Sequence, residues 1–429
     1  MSELAGRAAL AAWRGVGRLI GPALGVMLDV RTRAGKEDPA RRGERFGRAS
    51  VARPEGEVVW MHAASVGETV SVLPLIDRLV APGRTVVLTT GTVTSAKIAA
   101  ERLPAGAIHQ YVPLDVAPAI GRFLEHWRPK AALFVESEIW PATMVELAKR
   151  AIPQVLINGR MSPRSFSRWR RMPAVARAVF GRLTAALAQG EGDGSRLGAL
   201  GVPTVSVTGN LKFDGAPLGA DAEELARLAA AIGTRPRWLA ASTHPGEETI
   251  AAKAHAIAAR RLPGLLTVIA PRHPTRGDEI RAMLADRRLQ VASRSRGEMP
   301  TGETDVYLCD TIGEMGLIYR LAPVAFVGGS LAPRGGQNPI EPARLGVAVV
   351  HGPSTHNFTE IYREFDEAGG AITVDDSGDL AAAIELLIGD AGRRGRLDAA
   401  ARVVVERSTG ALERTLAALA PLIEGGGGR

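Results

Sequence analysis

Short apolar runs alternate with amphipathic stretches almost throughout this chain, and that alternation narrows the possible folds more than any other feature. In the first half the runs are Val58–Ala64, Thr85–Thr90, Ala131–Val135, Gln154–Asn158, Ala185–Gln189 and Thr204–Thr208. Helical patterns such as Glu68–Val80, Val93–Arg102 and Ala117–Trp127 lie between them. Continuous apolar strands separated by helices are the signature of a parallel sheet covered on both faces. The pattern lapses in a Gly/Pro/Ala stretch at Asp214–Ala222. It then restarts at Trp238–Ser242, Leu265–Ala270, Val306–Cys309, Val324–Val327, Val347–Val350 and Ala371–Val374. A chain of 429 residues suits two domains of about 150–200 residues. The expected fold class is therefore α/β, with two doubly wound domains facing across a cleft. The expected division is 1–45 as an N-terminal helix and basic segment, 46–218 and 219–405 as the two domains, and 406–429 as a C-terminal helix with a disordered tail, GGGGR.

Charge and composition restrict the partners. The formal net charge is +8, which points to an anionic partner such as a nucleotide, a phospholipid surface or nucleic acid. Aromatic residues make up only 4% of the chain, which argues against a stacking platform for nucleic acid. A single cysteine, Cys309, excludes an internal disulfide and a cysteine metal cluster; a reduced, buried thiol is expected. Residues 8–30 are mostly apolar but are interrupted by Arg14, Gly15, Gly17, Arg18 and Pro22, and basic residues follow at Arg31, Arg33, Lys36, Arg41, Arg42 and Arg45. A spanning helix needs about 20 clean apolar residues, so this segment reads as an interfacial anchor on an anionic leaflet. An ordinary helix packed on the domain is the other reading.

Ligands of open parallel sheets bind beyond the carboxyl ends of the strands, and the informative residues lie there. The strand Val324–Val327 runs into Gly-Gly-Ser-Leu-Ala-Pro-Arg-Gly-Gly-Gln-Asn-Pro-Ile-Glu-Pro, with Asn338 and Glu341 opening a helix. Glycines let backbone amides approach a phosphate, and a carboxylate one turn on can accept bonds from ribose hydroxyls. This reads as a nucleotide-sugar grip. Glu68 opens a helix after Gly67, and two readings stay open: a carboxylate satisfying the helix dipole, or a general base. Glu136 and Glu138 end another strand, and Lys212 follows a third. Lys212 is either a solvated surface lysine or the neutralising charge for an anionic substrate. Arg272, His273 and Arg276 offer cations for a leaving phosphate. His62, His244, His351 and His356 show no metal-ligand spacing, so no metal site is expected. The chain carries no D-x-D, no phosphate loop of the G-x-x-x-x-G-K-[ST] type and no G-x-S-x-G.

These stretches, taken together, resemble the 3-deoxy-D-manno-octulosonic acid (Kdo) transferase family of Gram-negative bacteria. The matching segments are HAASVGE (62–68), FVESEIWP (134–141), INGRMSPRS (157–165), TGNLKFD (208–214), ASTHPGEE (241–248), APRHPTR (270–276), DTIGEM (310–315) and FVGGSLAPRGGQNPIEPA (326–343). The resemblance implies a GT-B fold of two Rossmann-like domains. It also implies an inverting transfer of Kdo from CMP-Kdo to a tetraacylated lipid A precursor, in lipopolysaccharide core biosynthesis at the cytoplasmic face of the inner membrane. By the same resemblance Glu68 is the proton acceptor, and Glu136 and Lys212 stabilise the transition state. CMP touches Pro271 and Arg272, the turn Ile312, Gly313 and Glu314, and Asn338, Pro339, Ile340 and Glu341. The implied partners are CMP-Kdo, the lipid A precursor and an anionic inner-membrane surface, with no cofactor and no nucleic acid. A donor with one phosphate can be discharged by Arg272, Lys212 and loop amides without a metal. The family often has alanine where Gly159 stands. The other readings are a GT-B transferase using a UDP-sugar and a non-enzymatic basic membrane adaptor.

Overall fold

The computed structural model describes residues 6, 21–214 and 218–424. Residues 8–20 of the apolar segment, 215–217 of the linker and the tail 425–429 lie outside the described residues. Contacts divide the chain into two units, one comprising residues up to 214 together with 409–424, the other residues 218–408.

The first unit holds seven parallel strands: β1 (Glu57–His62), β2 (Arg84–Thr90), β3 (Ala107–Tyr111), β4 (Ala131–Val135), β5 (Gln154–Gly159), β6 (Ala185–Ala188) and β7 (Val205–Val207). Their order is β3-β2-β1-β4-β5-β6-β7. The second unit repeats the plan with β8 (Arg237–Thr243), β9 (Leu266–Pro271), β10 (Val291–Ser293), β11 (Val306–Leu308), β12 (Val324–Val327), β13 (Ala348–His351) and β14 (Ala371–Thr373). Here the order is β10-β11-β9-β8-β12-β13-β14. Strands β4 and β12 are buried along their whole length, as their unbroken apolar sequences require once helices cover both faces. Trp60 anchors the first core, with its ring 4.6 Å from Phe123 and 5.4 Å from Phe134. Its indole N–H donates to Thr89 Oγ1 at 2.9 Å, so the one polar atom of that ring is satisfied. Cys309 is buried, and burial pushes its thiol up and away from reactivity.

Strands β3 and β10 were not expected from the apolar pattern. Both are outermost in their sheets. An edge strand needs one paired side and one covered face, so Ala-Ile-His-Gln-Tyr and Val-Ala-Ser form strands without a continuous apolar run.

The described residues toward both ends, 21–45 and 409–424, belong to the first unit, whereas the sequence set 1–45 and 406–429 apart. The helix Ala411–Glu424 is held there by Asp214, whose carboxylate accepts from the amides of Gly410 (2.6 Å) and Leu412. Leu419 and Ile423 complete its buried face. At the other end Arg45 bonds Glu37 (2.9 Å) and the carbonyls of Gly91 and Val112, and Arg41 bonds Glu44 and the carbonyl of His109. Arg31 pairs with Glu37 and Arg42 with Asp29. Four of the six cations expected to meet a membrane are therefore paired within the chain, on three carboxylates, and Arg33 and Lys36 stay exposed. No helix among the described residues is long and apolar enough to cross a membrane.

Candidate active site

Strand order reverses direction between β1 and β4 in the first unit, and between β8 and β12 in the second. At such a switch point the connections leave to opposite faces and open a crevice beyond the carboxyl ends. Glu68 and Glu136 follow β1 and β4; His244 and the glycine-rich loop follow β8 and β12.

In the first unit Ser65 caps the helix Val66–Leu79 by accepting from the Glu68 amide at 3.3 Å. Glu68 returns the contact. Its carboxylate accepts from Ser65 Oγ and from the Ala64 amide, both at 2.8 Å, forming a capping box. The dipole-satisfying role is thus real, and the geometry also orients the carboxylate. Burial pushes the Glu68 carboxyl above the usual carboxylate range. The Ser65 and Ala64 bonds oppose that shift, while the charges of Glu136 and Glu138 add to it.

Glu136 has φ +58, a left-handed conformation that a glutamate adopts only against strain. Its amide bonds the Ile157 carbonyl, and its own carbonyl accepts from Arg160. The carboxylate meets Lys212 Nζ at 2.6 Å. Lys212 reaches it because the chain beyond β7 runs back over β6 and β5. Asn158, buried at the end of β5, accepts from the Leu211 amide at 3.0 Å. Asn210 contacts Gln189 and accepts from the Lys212 amide at 3.0 Å. Glu138 accepts from the Trp140 indole at 2.8 Å and lies 3.5 Å from His62 Nε2. Glu68, Glu136 and Lys212 are thus brought into one charged cluster, to which the structure adds Glu138 and His62.

In the second unit the loop glycines are required by geometry. A Cβ on Gly328 would stand 2.6 Å from the Ser242 carbonyl oxygen, and Gly329 has φ +70. The phosphate-cradle reading of this loop needs correction, because its amides are already occupied. Glu247, fully buried, accepts from the backbone N–H groups of Gly329 (2.7 Å), Ser330 (3.1 Å), Leu331 (3.0 Å), Ala332 (3.0 Å) and His244 (2.8 Å). The neighbouring Glu248 accepts from Thr243 Oγ1 (2.9 Å) and from Arg276 (2.7 Å). Two adjacent carboxylates therefore fix two strand-end loops to one helix start, the glycine-rich loop and the Arg272–Arg276 turn. The signal available in the sequence was the pair of glutamates after Gly246. Glu247→Gln turns one acceptor oxygen into a donor aimed at N–H groups. We expect unfolding measurements to show a loss of about 1–3 kcal/mol, and a variant as stable as wild type would remove this anchor from the account.

The residues expected to hold CMP fall into three strand-end loops of this unit. Pro271 ends β9, and the Arg272 amide bonds the Thr243 carbonyl at 2.9 Å. Asn338 Oδ1 accepts from the Ile340 amide at 3.1 Å, and its Nδ2 lies 3.4 Å from Glu341 Oε1; Pro339 precedes the helix Ile340–Arg344. Burial pushes the Glu341 carboxyl up, opposed by Asn338 and by the charge of Arg272, so these two loops meet. In the third loop Gly313 has φ +88 and Ile312 is 85% exposed. The Glu314 carboxylate is held by Arg294 (2.7 Å) and Thr311, which keep it below the usual range. That turn therefore offers its backbone and Ile312, with the Glu314 side chain already bonded.

Two parallel α/β units, each with a switch point in its strand order, make a fold of the GT-B type. In fold the chain is similar to a glycosyltransferase from Rickettsia africae ESF-5 (TM-score 0.60, 13% identity, 86% of this chain and 100% of that one). It is likewise similar to a putative UDP-N-acetylglucosamine 2-epimerase from Listeria monocytogenes (TM-score 0.58, 13% identity, 86% and 97%). Residues 40–215 match the family model described as 3-deoxy-D-manno-octulosonic-acid transferase (kdotransferase). The 3-deoxy-D-manno-octulosonic acid transferase of Haemophilus influenzae is 35% identical over 408 residues, 93% of this chain and 94% of that protein. The Bordetella pertussis protein of the same description is 37% identical over 387 residues, 87% and 90%. The chain belongs to the 3-deoxy-D-manno-octulosonic acid transferase family.

Proposed function

We propose that this enzyme transfers Kdo from CMP-Kdo to a tetraacylated lipid A precursor, with inversion at the anomeric carbon. The observation that carries the reading is the Glu68 carboxylate, oriented by its capping box and raised in proton affinity beside the Glu136–Lys212 pair. Glu68 takes the proton of the attacking acceptor hydroxyl. The freed oxygen bonds to the anomeric carbon as the bond from that carbon to the phosphate breaks, and CMP leaves with the electron pair. An oxocarbenium-like centre develops positive charge on the sugar and negative charge on the phosphate. Lys212 and Arg272 oppose the negative charge, and Glu136 holds Lys212 in place. No cofactor enters the scheme. Incubation with CMP-Kdo and a lipid A precursor, read by mass, is expected to give acceptor carrying added Kdo; an unchanged acceptor mass overturns the reading.

For the nucleotide, we assign Arg272 to the phosphate, Glu341 and Asn338 to the ribose, and the Ile312–Glu314 turn to the base. Glu341→Ala is expected to weaken CMP binding by about 1–3 kcal/mol through lost charge-assisted bonds. Calorimetry in chelator checks this. UMP binding as tightly as CMP, or binding that requires added metal, would favour a different nucleotide-sugar donor.

The same reading places the enzyme on the cytoplasmic face of the inner membrane. Val26, Met27 and Val30 are 63%, 42% and 60% exposed on the helix Gly21–Arg33, an apolar face in a segment followed by the exposed Arg33 and Lys36. Because the other four cations are paired internally, apolar burial carries more of the attachment than charge, which supplies about 1 kcal/mol for each basic residue near the surface. Deleting residues 1–35 is expected to abolish flotation with anionic vesicles while preserving turnover of detergent-dispersed acceptor. Unfolding on deletion would instead make this segment a packed structural helix.

A further inference from the structure

One buried imidazole at the first switch point has no part in the scheme above. His62 ends β1 and is 1% exposed, yet its Nε2 has no hydrogen-bond partner of ordinary length among the described residues. The acceptor it faces is Glu138 Oε2, 3.5 Å away. The other ring nitrogen, Nδ1, is 3.0 Å from both the carbonyl and the hydroxyl oxygen of Thr89. That carbonyl only accepts, whereas the hydroxyl, which accepts from the Trp60 indole, can also donate. If Nδ1 donates to the carbonyl, Nε2 of a neutral ring turns a lone pair on the carboxylate, and only a shared proton removes the repulsion. An imidazole is the stronger base of the two, so that proton sits on Nε2. If the Thr89 hydroxyl donates to Nδ1, Nε2 carries the ring proton outright. Both arrangements put an N–H between His62 and Glu138.

The same carboxylate oxygen is held from a second side. Glu138 Oε2 accepts from the Trp140 indole at 2.8 Å, and the Trp140 ring stands edge-on to His62 with centroids 5.9 Å apart. Trp140 is the N-cap of the helix Pro141–Lys149. Glu138 in turn acts on Glu68, whose carboxyl its charge pushes up. The cluster therefore sets three carboxylates, Glu68, Glu136 and Glu138, against one ammonium, Lys212, which pairs with Glu136.

Resting on the reading of Glu68 as general base, we infer that His62 is a positioning residue of the reaction, whose Nε2–H holds Glu138 in place and offsets the charge that Glu68 feels. His62 does for Glu138 what Lys212 does for Glu136. An N–H aimed at a carboxylate in a poorly solvated place both fixes it and spreads its charge.

The test follows the pH dependence of kcat in His62→Asn, His62→Gln, Glu138→Gln and the double variant His62→Asn/Glu138→Gln, with circular dichroism to check the fold. Asparagine keeps an amide near the Nδ1 position for Thr89 and has nothing at Nε2; glutamine places its amide nitrogen near Nε2. With Glu138 no longer offset, His62→Asn is expected to lower kcat roughly 3–10-fold on the acid side of the profile and less than about twofold on the plateau. His62→Gln should regain part of that loss. Glu138→Gln removes the charge itself, so it should raise the acid-side rate, and adding His62→Asn to it should move the acid side no further. An unchanged profile, or an even loss at every pH, would make His62 a packing residue and overturn the inference. So would an equal acid-side loss in the Glu138→Gln background, which would cut His62 from Glu138. Nitrogen NMR of histidine-labelled wild type needs no variant to fold: a proton on His62 Nε2 at plateau pH is expected, and a bare Nε2 overturns the inference. An acid limb that survives in Glu68→Gln would instead refute the general base, and this role of His62 with it.

Discussion

Glu68→Gln is expected to lower kcat by about 10²–10⁴-fold, the range for loss of a general base. The variant should fold, bind CMP as wild type does and keep its acceptor KM. Glutamine can keep both contacts, its oxygen accepting from the Ala64 N–H and its amide donating to Ser65 Oγ, so the stability change is expected to stay within about 1 kcal/mol. The pH dependence separates the two roles of this residue. Burial first, and the charges of Glu136 and Glu138 second, hold the Glu68 carboxyl above its ordinary value. Wild-type kcat should therefore fall on the acid side through a limb lying above the usual carboxylate range, and Glu68→Gln should lack that limb. Stability has the opposite sign. A carboxyl raised in the folded state contributes stability that is full below its unfolded value and is lost as pH rises through the raised folded value. The glutamine variant should not lose stability over that window. Turnover within a few-fold of wild type would leave Glu68 as a helix cap only and pass the proton-accepting role to Glu136 or Glu138.

Lys212→Ala is expected to lower kcat by about 10²–10³-fold, the typical effect of removing one preorganised electrostatic contact from a transition state. The 2.6 Å contact to Glu136 makes the consequence specific. Without the lysine, the Glu136 carboxylate stays in a largely buried position, where its charge acts on Glu68 uncompensated. The acid limb of the rate profile should then move further up in pH, a change that mere loss of substrate binding would not produce. Lys212→Arg keeps the charge but replaces a compact ammonium by a planar fork, so it should restore the position of the acid limb more fully than it restores kcat. An acid limb unmoved in Lys212→Ala would separate Lys212 from the Glu68 cluster.

Strand-end placement made much of the candidate site legible before any coordinates. An apolar run followed by His-Ala-Ala-Ser-Val-Gly-Glu, or by Glu-Ser-Glu-Ile-Trp-Pro, already says that a carboxylate leaves a buried strand where ligands bind. Glu341 and Asn338 were legible for the same reason. The fourteen-strand plan was largely legible as well, except for β3 and β10, whose edge positions relieve them of the apolar pattern that marks the interior strands.

The alternation of apolar runs and helices by itself determined two parallel α/β units, because only helices on both faces can bury strands that are apolar on both sides. It also determined which residues stand at strand ends. Only the tertiary structure decided which of those residues meet. The Lys212 ammonium reaches Glu136 because Asn158 and Gln189 direct the chain back across β6 and β5. The glycine-rich amides, open to a phosphate when read along the chain, are closed by Glu247 from a distant helix start. The C-terminal helix joins the first unit because Asp214 caps its start. The physical reason is the same in all three cases. Periodicity records which face of an element is buried, whereas the partner of a buried charge or amide is set by strand order and loop path, which bring together groups far apart in sequence.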